Sequence, residues 1–268
     1  MTFQPVVPVG GYAGWRFLDR TFDTQRTAFA ESAPVARLTD HVRIALGRIS
    51  SVEDFMADRR LLEVALGAFG LEGDLGNRAF IRKVLAEGTL SESAFARRLG
   101  DTRYEVFSRA MGFGDLGGAG RTQFSGFAET LISRYESRAF ARAVGEQNND
   151  LRLALNLESG ITDLLASTEG TRARWFALMG DPPLRGVFET ALGFGPGFGR
   201  IDLDQQLDQF RQRARTVLGT DDPGQFAAPE IREKVVRLFM VRSEALATQA
   251  ASPNATALIL LQGATRFG

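Results

Sequence analysis

Residues 58–71 read DRRLLEVALGAFGL, and residues 181–194 read DPPLRGVFETALGF. The two stretches keep the same offsets from end to end. Each opens on an aspartate, Asp58 or Asp181, that can accept from the orphan N–H groups of a first helical turn. Pro182 suits the first helical position, where φ is already set and no N–H is lost. Each closes on a small residue, a large apolar one, a glycine and another apolar one: Ala68-Phe69-Gly70-Leu71 and Ala191-Leu192-Gly193-Phe194. A glycine just past the last turn enters the left-handed region, and the next residue folds back on the helix. Residues 101–113, DTRYEVFSRAMGF, repeat the device one residue shorter, with Asp101, Gly112 and Phe113 in the matching places. Three chance likenesses of helix caps are the bland reading. Duplication of a helical module whose units pack on one another is the sharper one. The copies are unevenly spaced, so a regular solenoid is excluded.

Outward from these units the pattern stays helical. Trp15, Leu18, Phe22, Gln25 and Phe29 stand three or four apart, and Pro34 ends or kinks that helix. Val35 to Leu46 gives a weaker helix. Ser50-Ser51-Val52-Glu53 matches a capping box with Ser50 as the cap, and Thr89-Leu90-Ser91-Glu92 matches another. A long helix is expected from about Thr122 to Val144, driven by Phe124, Phe127, Leu131, Tyr135 and Phe140. Leu151, Ala154 and Leu155 favour a helix over a strand at 148–157. Trp175, Phe176 and Met179 make another stripe. Leu203, Leu207, Phe210, Ala214, Val217 and Leu218 make the cleanest amphipathic face, and Ile231, Val235, Leu238, Phe239 and Leu246 follow Pro229. No long alternating run rich in β-branched residues occurs.

The expected fold is therefore all-α: a multi-helix array with an internally repeated helical module, arranged as two lobes joined by a long helix. The expected boundaries are a flexible N-terminal arm at 1–14, an N-terminal helical lobe at 15–116, a glycine joint and bridging helix at 117–147, a C-terminal helical lobe at 148–250 and an apolar C-terminal tail at 251–268. The tail, SPNATALILLQGATRFG from Ser252, reads as a strand-like end tucked into a groove or as a partner-binding end.

The 268 residues are 44% hydrophobic and 24% charged, in the range of soluble globular proteins. Thirty-two basic residues balance thirty-two acidic ones, so no strong field points toward nucleic acid or anionic lipid. All the basic residues except Lys83 and Lys234 are arginines, with doublets at Arg59-Arg60 and Arg97-Arg98 and a cluster at Arg211, Arg213 and Arg215. Acids interleave with them, which reads as a salt-bridged solvent face. Arginine and the 21 phenylalanines also suit protein interfaces. Cysteine is absent, which removes disulfides and thiolate chemistry, and His41 is the one histidine.

Catalytic patterns are missing at each test. Gly117-Gly118-Ala119-Gly120 lacks the lysine and Ser/Thr of a phosphate loop, and the glycines from Gly193 to Gly199 follow a helix where a dinucleotide site needs a strand. No Gly-x-Ser-x-Gly elbow occurs. His41 sits at a helical position and reads as structural. Asp202/Asp204 and Asp221/Asp222 read as helix-start residues, not as an acid–base pair. No catalytic, cofactor-binding or metal-ligating residue is assigned, and no cofactor is expected. The N-terminus has no basic region followed by an apolar core, and no 18-residue apolar run occurs. The expected place is the cytoplasm, with flagellum association by a route needing no signal peptide as the alternative. The Asn254-Ala255-Thr256 sequon then carries little weight.

The segments DRRLLEVALGAFGLEGDLGNRAFIRKVLAEGT, VGEQNNDLRLALNL, DPPLRGVFETALGF and IDLDQQLDQF resemble an alphaproteobacterial family, domain of unknown function 1217. The resemblance runs over about 12–245. It implies no catalytic residue. Genes of the family often lie among flagellar genes, so the resemblance implies a flagellar association. The function expected is a non-enzymatic interaction or scaffold protein with a protein partner, a flagellar component among the candidates, and no nucleic acid or membrane span. An enzyme or small-ligand binder whose site forms only in three dimensions is the alternative.

Overall fold

A computed structural model describes residues 3–250. Those residues form fourteen α-helices and no strand. In chain order they are α1 (Gly11–Ala30), α2 (Ala33–Ala45), α3 (Val52–Ala57), α4 (Arg59–Ala68), α5 (Arg78–Glu87), α6 (Phe95–Arg98), α7 (Arg103–Met111), α8 (Phe113–Leu116), α9 (Phe127–Gly145), α10 (Asn149–Ser167), α11 (Thr171–Met179), α12 (Pro182–Leu192), α13 (Leu203–Leu218) and α14 (Pro229–Ala250). The apolar tail expected at 251–268 lies outside the described residues.

The matched ends form as their chemistry requires. Asp58 accepts from the Leu61 N–H at 3.0 Å, and Asp181 from the Leu184 N–H at 2.9 Å. Gly70 and Gly193 are left-handed, with φ of 70° and 79°. Leu71 N–H closes back on Leu66 O, and Phe194 N–H on Glu189 O, both at 2.9 Å. That six-to-one bond is the Schellman closure. The third copy is looser. Asp101 lies one residue outside the cap of α7 and accepts from Arg103 N–H at 3.0 Å. Gly112 is left-handed there too, but it makes the simpler bond to Ser108 O, and Phe113 starts α8.

The duplicated ends sit in duplicated surroundings. α4 lies along α9, and α12 lies along α14. On α9 the buried residues Leu131, Ile132 and Tyr135 are followed by Arg138; on α14 Val235, Val236 and Phe239 are followed by Arg242 at the same spacing. Arg138 crosses over Gly70, and Arg242 crosses over Gly193. An alanine Cβ would stand 2.9 Å from Arg138 Nη1 at the first site and 3.0 Å from Arg242 Nη1 at the second. The repeat is therefore a helix pair and not a single helix. Gly70→Ala and Gly193→Ala should each lower the unfolding free energy by about 1–2 kcal/mol, from left-handed strain with an arginine to displace. Gly186→Ala, inside α12 with nothing within 4 Å of a new Cβ, should raise it by about 0.4–1 kcal/mol. Urea titration of the three variants tests the opposite signs.

Several local expectations shift. α1 opens at Gly11, not Trp15. Within the arm expected at 1–14, residues 3–10 form no helix or strand, but Pro5 is buried, and the Gln25 amide clamps Val6 through bonds of 2.7 and 3.2 Å. Pro34 opens α2 instead of ending α1. The first capping box moves on by one residue. Ser51 accepts from Asp54 N–H, and Asp54 accepts from Ser50 N–H, both at 3.1 Å. That register buries Phe55 and Met56. The second box does not form. Thr89 instead donates through its hydroxyl to Asp115 of α8 at 2.8 Å, and Glu87 accepts from the Phe95 N–H that opens α6. The long helix starts at Phe127, because residues 117–126 turn through Gly117, Gly118, Gly120 and Gly126, all at positive φ. Phe124 is consequently exposed, as are Leu203 and Leu246. Phe140 and Val144 are buried as the spacing requires.

Candidate functional site

Two places gather more chemistry than packing needs. The first is buried. Arg134 and Arg138, one turn apart on α9, meet Asp163 of α10, Asp181 at the head of α12, and Asp101 with Arg103 before and in α7. Arg134 forks onto both Asp163 oxygens, and its Nε donates to Ala68 O at 2.6 Å. Arg103 forks onto Asp101 and donates to Gly70 O at 2.5 Å. Arg138 Nη2 stands 3.7 Å from Asp163, and its Nε has no partner among the described residues. Burial, with Arg134 beside it, pushes Arg138 down to about 10, against the pull of Asp163. Burial likewise raises the Asp181 carboxyl, although Leu184 N–H, Arg103 and Arg138 favour its charge. The space left is about 20 Å³, room for one water and no substrate.

This cluster holds helix ends. The last carbonyls of α4 lack intrahelical partners, and a guanidinium fork supplies donors that a buried end cannot take from solvent. α12 ends in the same manner, with Arg242 donating to Ala191 O. No sequence motif announced Arg103, Arg134, Arg138 or Asp163. A signal did exist: arginines at the end of the otherwise apolar Leu131-Ile132-x-x-Tyr135 and Val235-Val236-x-x-Phe239 faces.

The second place is open. A cleft of about 430 Å³ lies between α1, α10 and α14. Trp15, Phe22, Leu155 and Val236 give it an apolar floor; the Trp15 indole N–H has no acceptor among the described residues. Asp19, Asp23, Glu158 and Glu233 stand with Arg16 and Arg232 on its rim. Glu233 takes the Tyr12 hydroxyl at 2.6 Å and Arg16 at 3.5 Å, and Glu158 takes Arg232 at 3.2 Å. Burial and the Glu233 bond both contribute to raising the Tyr12 hydroxyl, the bond more.

The residues weighed from sequence are scattered. His41 Nε2 lies 2.7 Å from Asp58 Oδ2, on the cap of α4 and half-exposed. Asp202 caps α13, and Asp204 pairs with Arg172 at 2.7 Å. Asp221 receives Arg211 and Arg215 at 3.0 and 2.8 Å. Desolvation opposes its charge, but the two guanidiniums prevail and hold the carboxyl below its usual range. Asp222 accepts from Gly224 N–H in a short turn. Gly117 to Gly120 follow α8, and Phe194 and Phe198 stack at 3.9 Å within the second glycine run. Among the described residues no group of three or more histidines or carboxylates is placed to hold a metal ion, and no helix is long and apolar enough to cross a membrane.

The family described as "Protein of unknown function (DUF1217)" matches residues 68–229, well over half of the chain. The chain belongs to the DUF1217 family. That match is narrower than the resemblance over about 12–245, and it takes in α5 to α13 with most of the buried cluster. A solved X-ray structure of an Agrobacterium tumefaciens protein is similar to this DUF1217 chain, 28% identical, with a TM-score of 0.71. The likeness covers 90% of this chain and 98% of the other. No curated protein matches.

Proposed function

We propose that this DUF1217 protein is a non-enzymatic interaction protein that accepts a protein partner in the α1–α10–α14 cleft. The observation that supports the reading is the cleft itself: apolar and charged side chains from three helices line it side by side, as they do in a docking surface. The buried cluster supports it from the other side. Arg103 and Arg134 are engaged by carboxylates and helix-end carbonyls, and the space beside them admits no substrate.

The flagellar association enters through the family resemblance. It sets the test. Affinity capture with the full chain in a flagellated alphaproteobacterium, read by mass spectrometry, should enrich flagellar components over an unrelated helical bait. Enrichment of none removes the flagellar assignment.

A further inference from the structure

The rim of the cleft is unbalanced. Four carboxylates face two guanidiniums, and both guanidiniums are engaged, Arg16 with Glu233 and Arg232 with Glu158. Asp19 approaches Arg16 only to 3.9 Å, and Asp23 makes no ion pair among the described residues. The two aspartates stand four apart on α1, hence on one face of it. One cation placed between them is attracted by both, and the apolar floor beside it lowers the local dielectric and strengthens the attraction. Phe22, Leu155 and Val236 meanwhile offer a seat for one or two bulky side chains.

We propose that the occupant is a cationic amphipathic segment of the partner protein: an arginine or lysine between Asp19 and Asp23, with a leucine- or phenylalanine-sized anchor over the floor. This deepens the protein-binding reading and rests on it. The excess of carboxylates on the rim disfavours acidic peptides and nucleic acid. Charge steers the encounter, and burial of the anchor sets the residence time.

The test uses the full chain and a fluorescent 14-residue helical peptide with leucines at positions 4 and 8 and arginines at 5 and 12, read by anisotropy. A second peptide replaces both arginines with glutamates. The arginine peptide should bind, weaken several-fold as salt rises from 50 to 300 mM, and lose about tenfold in affinity with Asp19→Asn/Asp23→Asn. The glutamate peptide should not bind. The two substitutions are isosteric, and unchanged circular dichroism checks the fold. Equal binding of both peptides, or indifference to the double substitution, overturns the proposal. So does a gain in peptide binding on Arg266→Glu/Phe267→Ala, which makes the chain's own tail the occupant. Its failure separates from that of the wider reading. Partner capture that ignores Asp19→Asn/Asp23→Asn overturns the cleft assignment alone, and no capture by the unchanged chain overturns both.

Discussion

Trp175→Ala should cost about 3–5 kcal/mol of unfolding free energy, a large fraction of the roughly 5–15 kcal/mol that holds a domain folded. Trp175 is wholly buried on α11, with the rings of Phe210 and Phe226 centred 5.6 and 5.5 Å away. Phe226 stacks in turn on Phe188, and Phe210 meets Phe194 and Phe198. Removing the indole takes the ring that links Phe210 to Phe226 from a set drawn from α11, α12, α13 and the turn at 223–227. It also frees the Asp221 carbonyl, which accepts from the indole N–H at 2.8 Å. Trp175→Phe restores part of the volume and none of that bond. It should fall between the two, and urea titration monitored by circular dichroism orders the three proteins. An alanine variant as stable as the unchanged chain would mean that these rings do not share one core.

Asp163→Ala should cost about 3 kcal/mol or more. The carboxylate receives Arg134 in a two-pronged bond and stands beside Arg138, and the side chains of Asp163 and Arg134 are mostly buried. Deleting the acid leaves two guanidiniums one turn apart with their main countercharge gone. Removing both partners of the fork is a different experiment. Arg134→Met/Asp163→Leu discards the unpaired charge together with the pair, so it should recover much of the loss. What it cannot recover is the bond from Arg134 to the Ala68 carbonyl. A double variant worse than Asp163→Ala would show that this carbonyl contact outweighs the ion pair.

Both effects bear on how much of the molecule the sequence makes visible. Asp58, Asp181, Gly70 and Gly193 were readable because each acts within one turn of its own helix. The nearest neighbours of a cap are fixed by chain geometry, so composition and spacing suffice. The boxes at Ser50 and Thr89 were misread because a carboxylate from one residue away, or from α8, can satisfy the same groups. The start of α9 was misread because the aromatic spacing continues through Phe124 while the glycines do not allow a helix there. The buried cluster was out of reach. Arg103, Arg134, Asp163 and Asp181 are distant in the chain and meet only after four helices have packed. The cleft is of the same kind, since α1, α10 and α14 each look like an ordinary amphipathic helix until their faces are set side by side.

The guanidiniums laid across Ala68, Gly70 and Ala191 have a consequence for how the molecule comes apart. A helix end left to water frays by itself, one amide at a time. Here, beyond the helices' own closing bonds, further donors for the end of α4 come from α7 and α9 and for α12 from α14, so loosening a terminal turn also pulls on an element far away in sequence. Slow solvent exchange is thereby spread from the middles of these helices to their tips, and the places where thermal breathing begins are pushed outward to ends that no arginine guards.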